Sequence, residues 1–140
     1  MEPRTYQPQD CDACLAIFDS NSLTGRAAFE QFLNAIPADF TVLEHDGEVV
    51  GCGGYRIANG SATLEHGMIH RNFQRMGLGR FLLLYRLRQI SKSTAGGDIG
   101  FARLTAARND VAFYQKQGFK PSGSTDPEHV DLVMKLTVCP

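Results

Sequence analysis

The chain has 140 residues, 43% of them hydrophobic and 21% charged, the proportions of a soluble globular protein with one sizeable core. A formal net charge of −1 gives no general attraction to nucleic acid or to a membrane surface, so any anion site must be built locally. No apolar stretch approaches the ~18 residues that a spanning helix needs, and Met1-Glu2-Pro3-Arg4 lacks a basic-then-apolar signal pattern, so a cytoplasmic location is expected.

In chain order, Arg4-Thr5-Tyr6 reads as a short first strand. Asp10 is expected to N-cap a helix reaching about Asp19. Cys11, Cys14, Leu15 and Phe18 recur at the spacing of a buried helix face, so the two cysteines read as core residues. No second C-x-x-C completes a zinc site, and the spacing of Cys11, Cys14, Cys52 and Cys139 is not that of a small disulfide scaffold. A polar break at 21–25 precedes a second helical stripe, Phe29, Phe32, Leu33 and Ile36, which Pro37 stops.

The period then changes. Phe40–His45 is rich in β-formers, and Asp46-Gly47 is a hairpin turn signal. Glu48–Ala58 returns, with Gly51, Gly53 and Gly54 marking a bulge or a close backbone approach. Asn59-Gly60 is a second turn, and residues 61–70 complete an antiparallel meander. Residues 78–90 read as a helix with Leu83, Leu84, Leu87 and Ile90 on one side, ended by the polar run at 91–97. Phe101–Ala107 is a strand, and 109–117 a short helix with Asn109 as N-cap and Gly118 as stop. Phe119-Lys120 and residues 130–138 form a last hairpin across a loop at 121–128. The order β-α-α-β-β-β-α-β-α-β-β describes an α+β fold on a mixed sheet, with residues 1–140 as a single domain.

The chemistry points to the junction of the third meander strand and the long helix, at Gln74-Arg75-Met76-Gly77-Leu78-Gly79-Arg80. Gly77 and Gly79 let the backbone turn tightly and approach a ligand with no Cβ in the way. The helix behind them offers backbone N–H groups and the positive end of its dipole, which suit a phosphate or pyrophosphate. Arg71, Arg75 and Arg80 cluster around it in a chain that is otherwise near neutral. Taken alone, the same turn equally describes a tight strand-to-helix connection without a ligand. Neither a nucleotide P-loop nor a Rossmann fingerprint is present.

Gln74-x-x-Gly77-x-Gly79 resembles the Q/R-x-x-G-x-G/A signature of the GCN5-related N-acetyltransferase (GNAT) superfamily. Met68-Ile69-His70 looks like the end of that family's fourth strand and Arg80-Phe81-Leu82-Leu83-Leu84 like the start of its third helix. Asn109-x-x-Ala112-Phe113-Tyr114-x-x-x-Gly118-Phe119 is similar to its other recurrent segment. The resemblance implies a mixed, mostly antiparallel central sheet flanked by helices, with the fourth and fifth strands splayed around acetyl-CoA. It places the pyrophosphate on backbone groups of Gln74, Arg75, Met76, Gly77, Leu78, Gly79 and Arg80. It also places the pantetheine arm along Met68, Ile69 and His70 and against Asn109, the thioester oxygen at the N–H near Ile69, and Tyr114 near the sulfur. Where many members have proline after the fourth strand, this chain has Arg71.

Amine attack on a thioester needs a neutral nucleophile, an oxyanion stabiliser and a proton for the thiolate. Tyr114 is the expected acid, since a tyrosine pKa near ~10 suits a thiol; its alternative is a tyrosine packed under the sheet. Glu65, directly or through water, is the expected base, because strand alternation puts Thr63, Glu65, Gly67 and Ile69 on one face. His66 on the opposite face and Glu44 on a neighbouring strand are the other candidates. His66 and His70 stand about 13 Å apart on a strand, so no shared metal is expected. Cys52 reads as a buried strand cysteine and not as an acyl carrier.

The expected activity is transfer of an acetyl group to a primary amine by direct attack in a ternary complex. The alternative is an acyl-CoA-binding sensor or partner subunit without turnover. Asp19, Glu30, Asp126 and Glu128 lie on segments expected to line the acceptor side and suit a cationic amine, small or peptidic. The last two strands are candidates either to shape that cleft or to complete a homodimer interface.

Overall fold

Two Asx-Gly turns set the middle of the sheet. The computed structural model describes residues 2–93 and 99–136. Asp46 and Gly47 have φ of 52° and 79°, and Asn59 and Gly60 have φ of 52° and 76°. Two successive left-handed residues give the tight turn whose twist matches paired strands. The first turn joins β2 (Phe40–His45) to β3 (Glu48–Ala58), and the second joins β3 to β4 (Ser61–Ile69). The other strands are β1 (Glu2–Thr5), β5 (Phe101–Ala107), β6 (Lys120–Asp126) and β7 (His129–Lys135). The helices are α1 (Cys11–Ser20), α2 (Arg26–Asn34), α3 (Leu78–Lys92) and α4 (Val111–Lys116). This is the expected chain order, and the fold is α+β. The strands bond in the order β1-β2-β3-β4-β5-β7-β6, with β4–β5 parallel and β1–β2, β2–β3, β5–β7 and β6–β7 antiparallel. The readings at Gly96, Gly97, Val138 and Cys139 lie outside the described residues.

The chain divides into two compact units. The first, Met1–Gly54 with His66–Arg86, carries an aromatic core. Cys14, Leu15, Ile17 and Phe18 of α1 are buried with Phe29 and Leu33 of α2, Tyr6, Phe40, Val42 and Cys52. Phe18 stacks on Phe29 at 5.1 Å, and Phe32 and Tyr6 meet Phe40 edge-on at 5.2 and 5.6 Å. Burying each such ring contributes roughly 1.5–3 kcal/mol. Cys14 and Cys52 are core residues, as the helical spacing of Cys14 and the strand setting of Cys52 imply. Burial and the adjacent Cys14 thiol push the Cys52 thiol well up, which leaves it inert as a nucleophile.

The glycines of β3 are sites of close approach. A Cβ on Gly51 would stand 2.7 Å from Ile69 Cδ1, and one on Gly54 would stand 2.6 Å from Asp39 O. A bulge also occurs, because Leu43 pairs with Gly51 while Glu44 pairs with Val49.

Several local expectations change. Asp10 occupies the position before α1 but makes no side-chain cap. Its carboxylate instead takes two 2.8 Å bonds from Arg4 and one from the Gln7 N–H, and an ion pair outcompetes a cap. Ile36 lies beyond α2 at φ 53° and is exposed, because the helix ends at Asn34 before the turn into Pro37. On α3 the buried positions are Leu78, Leu82, Leu83, Arg86 and Ile90, whereas Leu84 is exposed. The helix therefore faces inward one step round from the stripe drawn through Leu84 and Leu87, and that rotation buries Arg86.

The second unit, Tyr55–Glu65 with Leu87–Pro140, is built on alternation. Ala102, Leu104 and Ala106 are buried while Phe101, Arg103, Thr105 and Ala107 are exposed. β5 pairs with β7 over its whole length but with β4 over only three positions, Ser61↔Phe101, Ala62↔Ala102 and Thr63↔Arg103. Asn109 is not a helix cap, because it lies inside a 3-10 turn, Arg108–Asp110, and α4 starts after Asp110. Gly118 does stop α4. At φ 105° it lets its own N–H reach Gln115 O and the Phe119 N–H reach Tyr114 O, at 3.1 Å each. The stretch expected as a loop at 121–128 is mostly strand. β6 tolerates Pro121 and Gly123 because it lies at the edge, with register shifts beside both.

Candidate functional site

In the first unit, the candidate site starts where β4 ends. A 3-10 turn, Arg71–Phe73, follows His70, whose Nδ1 accepts the Asn72 N–H at 3.1 Å. Arg75 and Gly77 then adopt left-handed φ of 65° and 81°, and α3 begins at Leu78. The first bond of its ladder runs from Phe81 N–H to Gly77 O at 3.1 Å. The N–H groups of Leu78, Gly79 and Arg80 come before that bond, at the positive end of the helix. A Cβ on Gly77 would meet nothing within 4 Å, so the turn faces open space. Arg71, Arg75, Met76 and Arg80 are exposed around it. The structure thus brings together the residues of the expected phosphate turn at the N-terminal end of α3.

A polar tie fixes this turn from beneath. Gln74 Nε2 donates to Asn21 Oδ1 at 2.7 Å and to Ile69 O at 3.1 Å. Asn21 Nδ2 donates to Ile69 O and to Ile17 O, each at 3.0 Å. Ser20 Oγ accepts the Arg71 N–H at 3.0 Å. The end of α1 is thereby bonded to both sides of the β4–α3 junction. Ser20 and Asn21 escaped sequence reasoning because partners about 50 residues away leave no local pattern. The His70 N–H is also engaged, by Val50 O at 2.8 Å.

β4 carries a kink. His66 has φ 56°, a left-handed value that costs a non-glycine residue of order 1 kcal/mol. The buried positions are Ala62 and Leu64 before it and Ile69 after it, so regular alternation from Glu65 through Ile69 does not hold. The His66 ring packs 4.4 Å from Phe32 and 5.1 Å from Phe29. Met68 leans on the same aromatic core, whereas Ile69 joins Leu43, Val50, Leu78 and Leu82. Beside the kink, Arg86 lies buried with Nη1 donating to Gly54 O at 3.2 Å. Cβ atoms on Gly53 and Gly67 would stand 3.0 and 2.5 Å from its guanidinium. A charged residue within the apolar period of α3 was the available signal for this contact.

In the second unit, Glu65 is half-buried and its carboxylate accepts from Arg56 Nε at 3.2 Å. Asn109 is exposed and lines a cavity of about 390 Å³ with Ala107, Arg108, Pro127, Glu128 and His129. Tyr114 is half-buried, edge-on to Phe113 at 5.1 Å and to Phe119 at 5.9 Å. Among the described residues, no helix is long and apolar enough to cross a membrane.

This fold recurs in solved structures, N-acetyltransferases among them. The ribosomal-protein-alanine N-acetyltransferase of Escherichia coli superposes with a TM-score of 0.80 over 99% of this chain and 96% of its own, at 16% identity. Ard1 of Thermoplasma volcanium gives 0.79 over 97% of each chain, at 21% identity. PaiA N-acetyltransferase of Thermoplasma acidophilum, solved in complex with coenzyme A, gives 0.78 over 96% and 98%, at 19% identity. At these identities the likeness is one of fold. No curated protein matches the sequence. The family itself follows from the sequence, since the acetyltransferase (GNAT) domain model matches residues 37–121, more than half of the chain. The chain belongs to that family.

Proposed function

We propose that this protein is an N-acetyltransferase that moves the acetyl group of acetyl-CoA to a primary amine by direct attack in a ternary complex. The observation that carries this reading is the turn from Gln74 to Arg80: left-handed at Arg75 and Gly77, open to solvent, and running into the donor end of α3. A pyrophosphate is the ligand such a turn suits. Arg71, Arg75 and Arg80 add charge to the same place. The end of β4 offers main-chain partners for a ligand arm at Met68, Ile69 and His70 in the first unit, and Asn109 is the candidate contact of the second. Of these, the His70 N–H and the Ile69 carbonyl already bond within the protein, so the arm relies on the remaining groups.

Bound acetyl-CoA supplies an activated acyl group. The chain supplies orientation and proton transfers. Tyr114 gives a proton to the departing thiolate, and its edge-on rings hold it in place. Glu65, the base expected on β4, has its carboxylate held by Arg56, and it can serve, directly or through water, only once released. The acceptor is a cationic amine, small or peptidic, and the protein works as a single domain in the cytoplasm.

The test has two arms. Calorimetric titration with acetyl-CoA reads donor binding. A panel of spermidine, L-lysine and an alanine-starting peptide, followed by free-thiol release, reads transfer. Binding with transfer to at least one amine supports the reading. Binding without thiol release favours a sensor, and no binding removes both.

A further inference from the structure

The last hairpin contains a histidine–carboxylate pair that neither the turn nor α4 uses. β6 ends at Asp126 and β7 starts at His129, and the two residues face each other as the closing pair of the hairpin. His129 Nδ1 lies 3.0 and 3.1 Å from the two oxygens of Asp126. Asp126 is itself fixed, because Oδ1 accepts the Glu128 N–H at 2.8 Å. Ser124 Oγ clamps the same turn by bonding to Asp126 O at 2.6 Å and His129 O at 2.7 Å. The imidazole is therefore held in place at both its backbone and its ring.

A carboxylate on Nδ1 keeps the proton there and leaves the basic lone pair of the neutral ring on Nε2. That is the arrangement a general base requires: a nitrogen open to substrate and a second group that fixes the tautomer. The bond to His129 holds the Asp126 carboxyl below the usual carboxylate range, so the group that orients the ring stays ionised. Position gives the pair its use. His129 pairs directly with Ala107 across β5–β7, and the Arg108 N–H donates to Glu128 O at 2.9 Å. His129, Glu128 and Asn109 consequently line one cavity. Arg108 Nε donates to Pro127 O, and Glu128 is the carboxylate of the cavity lining.

We propose that His129, oriented by Asp126, is the base that deprotonates the acceptor, and that the acceptor is a cationic amine entering through the cavity shared with Asn109. This rests on the reading of Asn109 as a contact of the donor's arm. His129 Nε2 takes a proton from the ammonium R–NH3+, and the amine nitrogen attacks the thioester carbonyl. A C–N bond forms, the C–S bond breaks, and the thiolate leaves with a proton from Tyr114. The second amine proton restores Tyr114, and His129 returns its own to solvent. The products are R–NH–acetyl, CoA thiol and one released proton. Glu65, tied to Arg56, is then not the base.

The test compares wild type with H129Q, H129A and D126N. Acetyl-CoA binding is read by calorimetry, and thiol release with the same three amines is followed across pH. Binding is expected to be equal in all four proteins. H129Q is expected to lose ~10²-fold in kcat together with the acidic limb of the pH–rate profile, and D126N to lose about tenfold. Added imidazole is expected to restore part of the rate to H129A, which a merely structural histidine would not permit. A wild-type kcat and an intact acidic limb in H129Q overturn the inference while leaving the donor reading in place. A slow H129A that imidazole does not rescue, its limb unchanged, also overturns it. So does thiol release with none of the amines. Failure of the wild type to bind acetyl-CoA overturns the donor reading and this one with it.

Discussion

The backbone of Gly67 rests on the guanidinium of Arg86, so closely that a single methyl group would reach to 2.5 Å of Nη2. Arg86 is also wedged against Gly53 and bonded to Gly54 O, so it has little room to withdraw. G67A is expected to cost ~2 kcal/mol by overpacking, measured by denaturant unfolding. A cycle with R86A should return a coupling above ~0.5 kcal/mol, since the alanine removes the obstacle. Additive costs would show that the two residues do not share this strain.

Gly77 separates a ligand turn from a mere connection. A Cβ there meets nothing within 4 Å, but φ is 81°. G77A is expected to lose only ~1 kcal/mol of stability, from the backbone conformation. If a pyrophosphate approaches this backbone, acetyl-CoA affinity should fall about tenfold, or ~1.4 kcal/mol. Unchanged affinity in calorimetry would return the turn to a purely structural role.

Gln74 has a role its sequence position does not suggest. Its side chain is spent on Asn21 and Ile69 O, away from any phosphate. Q74A should therefore cost ~1 kcal/mol of stability. The KM for acetyl-CoA should rise severalfold as the turn loosens, with kcat nearly unchanged. A kcat effect without a KM effect would contradict a role confined to the turn.

Tyr114 can be tested without disturbing its packing, because phenylalanine keeps both ring contacts. Y114F is expected to lose 10- to ~100-fold in kcat with stability within ~1.5 kcal/mol of wild type. An unchanged kcat would remove the acid.

Asp10 gives the stability a pH dependence. Arg4 holds its carboxyl below the usual carboxylate range. The folded pKa is the lower one, so the pair's contribution is complete above the unfolded value of about 4 and fades as pH falls through the folded value. At about pH 7, D10N should cost ~2 kcal/mol, between an exposed pair and a buried one. The gap in Tm between D10N and wild type should narrow below about pH 4. A gap that persists there would point to Asp10's bond to the Gln7 N–H instead.

The elements were legible where local chemistry decides them. Asp46-Gly47 and Asn59-Gly60 announce their turns because few other pairs accept two left-handed residues in succession. Gln74 to Gly79 was legible for the same reason, since its glycine spacing serves a backbone geometry. The misses lie where contacts between elements, or a turn just before a helix, override the local pattern. Asp10 reads as a cap until Arg4, itself held by Glu44, is brought to it. Leu84 reads as core until α3 turns Arg86 inward. Asn109 reads as a cap because asparagine favours caps, but a 3-10 turn there displaces the helix start. His129 reads only as the end of a loop on the acceptor side, because only the closing of β6 on β7 places it against Asp126.

β6 has a single neighbour and forms the margin of the sheet, entered through Pro121 and shifted in register on either side of Gly123. Proline lacks an N–H, and each shift breaks the even spacing of donors and acceptors. Long flat margins are the templates on which chains polymerise strand by strand into fibres. This one offers no such run, and β1 at the opposite margin is only four residues long. Concentrated solutions are thus protected from fibrous growth by the irregularities that hid β6 from sequence-based reading.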